Sequence, residues 1–168
     1  MCNEQDCELR PTAAAALQAA MELESIGQVF YEVVATGSGR GNRAVGDFFL
    51  RLAREEEEHW KIFGHMLGEL AEQGGAAIEP LTDSELEYFR GVVNERLIPD
   101  VASCRQRASQ CSVAEAISLG LKMERDSIAF YREVLLPHAG GRDAQVIQRI
   151  IEEERKHERD LVDSLKLA

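Results

Sequence analysis

The feature that most constrains this chain is an internal repeat that carries polar side chains with it. Leu23-Glu24-Ser25-Ile26-Gly27-Gln28-Val29-Phe30-Tyr31 matches Met123-Glu124-Arg125-Asp126-Ser127-Ile128-Ala129-Phe130-Tyr131, with the Glu, Phe and Tyr in register. Further along, Glu56-Glu57-Glu58-His59 matches Glu154-Arg155-Lys156-His157, the loops absorbing a small difference in spacing. Each half therefore reads E-x5-F-Y and then E-x-x-H. A duplicated hairpin keeps its apolar pattern because both copies must bury it. Packing alone gives no reason to keep a Glu and a His at matched places.

The segments that carry these motifs read as helices. Glycine or proline clusters fall at 36–42, 73–80, 97–100 and 136–143, where they punctuate the chain. Pro11 stands beside a helix start, where a missing N–H does no harm. Between the breaks the chain is rich in Ala, Leu, Glu, Arg and Met, which lose little rotamer freedom in a helix. The pattern predicts helices over 12–36, 42–73, 112–136 and 142–166. A shorter helix opens at Thr82 or Asp83, and a second short piece follows Pro99. Ile117, Leu121, Ile128 and Tyr131 share one stripe, as do Ile147, Ile150, Ile151, Leu161 and Leu165. No β-branched alternation predicts a strand. At ~150 residues per domain, 168 residues make one domain. The expectation is an all-α four-helix bundle over 12–168, behind an N-terminal tail at 1–11. Its two antiparallel hairpins are joined by a long, helix-containing crossover between the second and third long helices.

Residues three apart on a helix share a face, so an E-x-x-H pair aims a carboxylate and an imidazole at one point. A lone E-x-x-H on an acidic helix ordinarily faces water. Two of them on two helices, with one Glu from each of the other two, supply four carboxylates and two imidazoles. That is the donor set of a two-metal carboxylate bundle. The candidate metal ligands are Glu24, Glu56, His59, Glu124, Glu154 and His157. Within Glu55–Glu58 the three-residue step to His59 selects Glu56. Glu22 competes with Glu24, but only Glu24 has a Tyr seven residues on and a partner in the repeat. These donors suit Fe(II), Mn(II) or Zn(II), and four carboxylates balance the charge of two divalent ions. Without metal the four would repel one another and some would take up protons, so a filled site should add folding stability. His65 has no matched Glu and His138 sits beside Pro137 in a loop, so both are expected at the surface.

Charge and composition exclude other classes. Nineteen Lys+Arg against 30 Asp+Glu leave a net charge of −11, which disfavours nucleic acid and anionic membranes as partners. The 45% apolar content supports a real core, and no apolar run approaches the ~18 residues of a membrane span. The polar start of the chain resembles no secretory signal, so the cytoplasm is the expected location. Cys2, Cys7, Cys104 and Cys111 form no C-x-x-C pair, and free thiols are expected in that compartment. Two helical turns between Cys104 and Cys111 are too far for a disulfide.

The order Glu, E-x-x-H, Glu, E-x-x-H, with Phe-Tyr following each lone Glu, resembles the rubrerythrin-like branch of the ferritin-like superfamily over roughly residues 20–166. The resemblance implies a ferritin-like bundle with two iron ions, Glu56 and Glu154 bridging both. Glu24 and Glu124 would be terminal carboxylates, and His59 and His157 terminal imidazoles. Tyr31 and Tyr131 would hydrogen-bond ligand carboxylates. It further implies an oxidoreductase that reduces hydrogen peroxide or dioxygen. Two departures stand out. Rubrerythrins usually carry a C-terminal rubredoxin domain with paired C-x-x-C motifs that delivers electrons. None is present in these residues, so a stand-alone relative fed by an external electron donor is expected. Rubrerythrins also carry an extra Glu three residues after the third-helix Glu, a ligand that exchanges with a His; here that residue is Ser127. A ferroxidase or iron-handling role, and a non-catalytic scaffold held by zinc or manganese, remain open alternatives. A homodimer is the expected assembly.

Overall fold

Each hairpin begins where the sequence supplies a cap. The computed structural model describes residues 12–74, 79–92 and 101–165. Helix α1 (Ala13–Thr36) opens on Thr12, whose hydroxyl accepts the Ala15 N–H at 3.1 Å. Asn42 accepts the Ala44 and Val45 amides at the start of α2 (Arg43–Gly74). In the crossover, Thr82 and Glu85 exchange hydrogen bonds at the head of α3 (Asp83–Val92), which is followed by α4 (Val101–Gln110). Ser112 and Glu115 do the same for α5 (Val113–Phe130). Each such cap contributes about 1 kcal/mol. The last helix, α6 (Gly141–Leu165), is entered through Gly141 at φ 52°, a conformation that favours glycine. The four long helices and the two short ones match the sequence pattern closely, and no strand occurs among the described residues.

One departure concerns the third long helix, expected without interruption over 112–136. It is α-helical only to Phe130, then forms a π-helical turn at Tyr131–Leu135 and a 3-10 turn at Leu136–His138. Pro137 has no N–H to give the Glu133 carbonyl, and its ring crowds that carbonyl. The chain widens instead, and the Leu136 N–H reaches back to the Tyr131 carbonyl.

The core divides into two apolar clusters, and every long helix crosses from one to the other. One holds Leu17, Leu23, Phe63, Phe130, Ile147 and Ile151; the other holds Ile26, Phe49, Leu52, Ile117, Leu121 and Leu161. Read along the chain, α1 and α6 run from the first cluster to the second, whereas α2 and α5 run from the second to the first. Helices α1 and α5 are therefore antiparallel, as are α2 and α6. The crossover spans the bundle's length, with Phe89 of α3 in the first cluster and Cys104 and Ala108 of α4 in the second. On each long helix the change of cluster falls at the motif residues.

No disulfide joins Cys104 to Cys111, and the Cys104 S–H is directed at the Ile26 carbonyl at 3.6 Å. Burial raises the Cys111 thiol above its usual range. Cys2, Cys7 and the tail at 1–11 lie outside the described residues. His65 is exposed beside Glu69, and His138 is exposed in its turn. No helix among the described residues is long and apolar enough to cross a membrane.

Candidate metal centre

Where the apolar clusters meet, the interior is polar. Glu24, Glu56, His59, Glu124, Glu154 and His157 are the buried polar or charged side chains of the described residues, none more than 5% exposed. They form two overlapping groups, Glu24, Glu56, His59 and Glu154 in one and Glu56, Glu124, Glu154 and His157 in the other. Within each group the donor atoms lie within 4.8 Å of one another. Glu56 and Glu154 belong to both. Glu154 places Oε1 2.9 Å from His59 Nδ1 and Oε2 3.0 Å from His157 Nδ1. Glu56 divides its oxygens likewise, Oε2 toward His59 Nδ1 at 3.8 Å and Oε1 toward His157 Nδ1 at 3.9 Å. Each shared carboxylate thus offers one oxygen to each position.

These atoms are close without being aligned for hydrogen bonds. Glu24 Oε2, both oxygens of Glu154 and the Nδ1 atoms of His59 and His157 are buried and have no hydrogen-bond partner. Leaving that many polar atoms unpaired costs about 1–3 kcal/mol each, so native interiors rarely do it. Oxygen and imidazole nitrogen donors directed at two common points fit a pair of divalent ions.

Buried tyrosines and carboxylates nearer the surface hold the donors in place. Tyr31 Oη donates to Glu124 Oε1 at 2.5 Å, and Tyr131 Oη donates to Glu24 Oε1. Each tyrosine therefore serves the glutamate of the other half. The histidines are held the same way. His59 Nε2 donates to Glu153 Oε2 at 2.9 Å, and His157 Nε2 lies 2.9 Å from Glu55 Oε2. With that bond made, Nδ1 faces the centre and offers a lone pair to a metal once the ring is neutral. Glu55 is itself held by Arg51 at 2.9 Å. Reading the motif as E-x-x-H missed these two carboxylates, because a Glu within a run of glutamates ordinarily faces water. The available signal was the repeat: Glu55 precedes Glu56 as Glu153 precedes Glu154.

The protonation pattern follows from burial and crowding. Burial pushes Glu56 well above the usual carboxylate range, and Glu154, Glu124 and Glu24 add to the effect. Burial, then Glu154, lifts Glu124 to about 8. Burial acts on Glu154 too, but the imidazoles of His157 and His59 outweigh it and hold its carboxyl below the usual range. Burial disfavours charged rings at His59 and His157, yet the surrounding carboxylates hold both above the usual imidazole range. Burial and adjacent carboxylates also raise Tyr31 and Tyr131, which keep their protons and donate.

Two predictions arise here. Metal ligands must be neutral imidazoles and ionised carboxylates, so metal competes with protons on His59, His157, Glu56 and Glu124. Zinc affinity should climb steadily from about pH 6 to about pH 8, with net proton release on binding. Calorimetry in buffers of different ionisation enthalpy measures both, and a pH-independent affinity contradicts the assignment. Glu55→Gln keeps the shape but weakens the acceptor for His157, so it should lower metal affinity by about 10–100-fold. Competition with a chromophoric chelator reads that change directly; wild-type affinity would remove Glu55 from the centre.

A model of the family named Rubrerythrin matches residues 15–165 of the chain. A crystal structure from Thermotoga maritima, described as that of a ferritin-like diiron-carboxylate protein, superposes with a TM-score of 0.70 at 23% identity. The match covers 94% of this chain and 96% of that one, and shows a shared fold. No curated protein matches the chain. The matched family model spans both halves of the repeat and all six buried donors, and on that ground the chain belongs to the rubrerythrin family.

Proposed function

We propose that this protein is a di-iron oxidoreductase that reduces hydrogen peroxide or dioxygen in the cytoplasm. Its electrons come from a separate donor, and it works as a homodimer. The observation that carries the reading is the sharing of Glu56 and Glu154 between two ligand groups. A pair of metal ions would be held there by Glu24, Glu56, His59, Glu124, Glu154 and His157. Bound iron would supply the electrons, one from each ion. The chain's own residues do the rest. Two apolar clusters exclude water on either side, Tyr31 and Tyr131 keep a proton on the hydrogen bonds to Glu124 and Glu24, and Glu153 and Glu55 fix the imidazole planes.

The test is stoichiometric. Protein loaded anaerobically with Fe(II) and mixed with peroxide should develop the near-ultraviolet absorption of oxidised iron, consuming half as much peroxide as iron oxidised. An external reductant should then return the starting spectrum over repeated cycles. Iron lost without oxidation would overturn the reading. Oxidation of iron far beyond two ions per chain, in a large hollow assembly, would assign the protein to iron handling instead.

A further inference from the structure

The two shared carboxylates are not equivalent, although the repeat would make them so. Glu154 lies 2.9 and 3.0 Å from the two Nδ1 atoms, whereas Glu56 stands back at 3.8 and 3.9 Å. Facing Glu56 across the first hairpin is Gly27, buried within α1. A Cβ at this position would lie 3.2 Å from Glu56 Cδ and 3.3 Å from its Cγ, inside the ~3.5–4.0 Å of a comfortable carbon contact. Glycine in a helix interior costs about 0.5–1 kcal/mol relative to alanine. No turn or positive φ asks for one here; the space beside Glu56 does. The counterpart of Gly27 in the repeat is Ser127, which carries a Cβ at the matching place on α5. The half with the glycine is the half whose carboxylate is withdrawn.

We propose that Gly27 is a positioning residue. Its missing Cβ gives the Glu56 carboxylate a recess, so Glu56 is the shared carboxylate that yields when a small anion binds at the centre. Glu154, within 3.0 Å of both Nδ1 atoms, stays on the imidazoles. The proposal rests on the two-metal reading above and adds to it a side of entry and the residue that sets it.

The experiment uses the full chain loaded with Co(II), with azide as the small anion and visible absorption as the readout. Wild type should take two Co(II) per chain and show a saturable change of spectrum with azide. Gly27→Ala should keep both cobalt ions, show an altered cobalt spectrum before azide is added, and bind azide about tenfold more weakly, since displacements of this order change reactive geometry strongly. Combining it with Glu56→Asp, one methylene shorter, should recover much of that loss. Ser127→Gly, which gives the second half of the repeat the glycine of the first, should tighten azide binding by about threefold and provides the test even if Gly27→Ala does not fold. Azide affinity unchanged in Gly27→Ala, or unchanged or weaker in Ser127→Gly, overturns the proposal while cobalt loading stays intact. Failure of wild type to bind cobalt at all overturns the two-metal reading itself.

Discussion

Glu154→Ala should abolish metal binding at both positions and also destabilise the metal-free protein, by about 3–5 kcal/mol. The first effect follows because Glu154 belongs to both ligand groups. The second follows from what Glu154 does when no metal is bound. It is fully buried, approaches both Nδ1 atoms within 3.0 Å, and is kept ionised by the two rings. Both histidines are in turn held above the usual imidazole range by the carboxylates around them. Removing Glu154 leaves two buried cationic rings without their nearest counter-charge. In a chain of this size each kcal/mol moves the melting temperature by about 2–4 °C, so melts in chelator should fall by about 10 °C. The pH dependence has a definite sign. Because the folded-state pKa of Glu154 is depressed, its contribution is complete above the unfolded carboxylate value of about 4.3 and is lost as pH falls through the folded value. The gap between wild type and Glu154→Ala should therefore be constant near neutrality and close only in strong acid. A metal-free variant melting with wild type at pH 7 would mean that the rings are neutral and the electrostatic account is wrong.

The difference between what could and could not be read from the sequence has a physical basis. The four long helices were legible because Ala, Leu, Glu and Arg fill them and Gly or Pro separates them. The six converging side chains were legible because duplication removes the ambiguity of a single motif: the repeat picks Glu24 over Glu22, and His59 picks Glu56 out of four consecutive glutamates. What escaped notice depends on relations between helices. Which carboxylate Tyr31 or Tyr131 would meet is set by the antiparallel placement of α1 and α5, which carries each tyrosine to the glutamate of the other half. Glu55 and Glu153 were hidden by their acidic neighbours, since nothing local distinguishes a Glu bonded to a distant imidazole from one in water. The π-helical turn at Tyr131–Leu135 escaped because Pro137 was read as ending the helix, whereas it also reshapes the turn before it. The role of Gly27 depends on the Glu56 side chain that α2 packs against it, which no local pattern in α1 encodes.

Glu56→Gln should act in opposite directions on the metal-free and metal-bound forms. Burial and three neighbouring carboxylates raise Glu56 well above its ordinary range, so folding favours its protonated form. An unfolded Glu releases its proton above about pH 4.3, and each further unit of pH then costs the folded state about 1.4 kcal/mol until the folded pKa is reached. Glutamine has nearly the same shape and no proton to retain. At pH 7 in chelator the variant should therefore be more stable than wild type, with the difference vanishing near pH 4. Metal reverses the ranking. Glu56 is shared by both ligand groups, and a neutral amide replaces a shared anionic carboxylate, so the variant should lose the ions that would stabilise wild type. Saturation of a single site at about 1,000 times its Kd is worth about 4 kcal/mol. Two melting curves, one in chelator and one in excess zinc or anaerobic Fe(II), should thus cross over between wild type and Glu56→Gln. A variant less stable than wild type in chelator at pH 7 would show that Glu56 is ionised and favourably paired in the free protein. A simple packing defect would lower both curves together, so only a centre that exchanges protons for metal predicts the crossing.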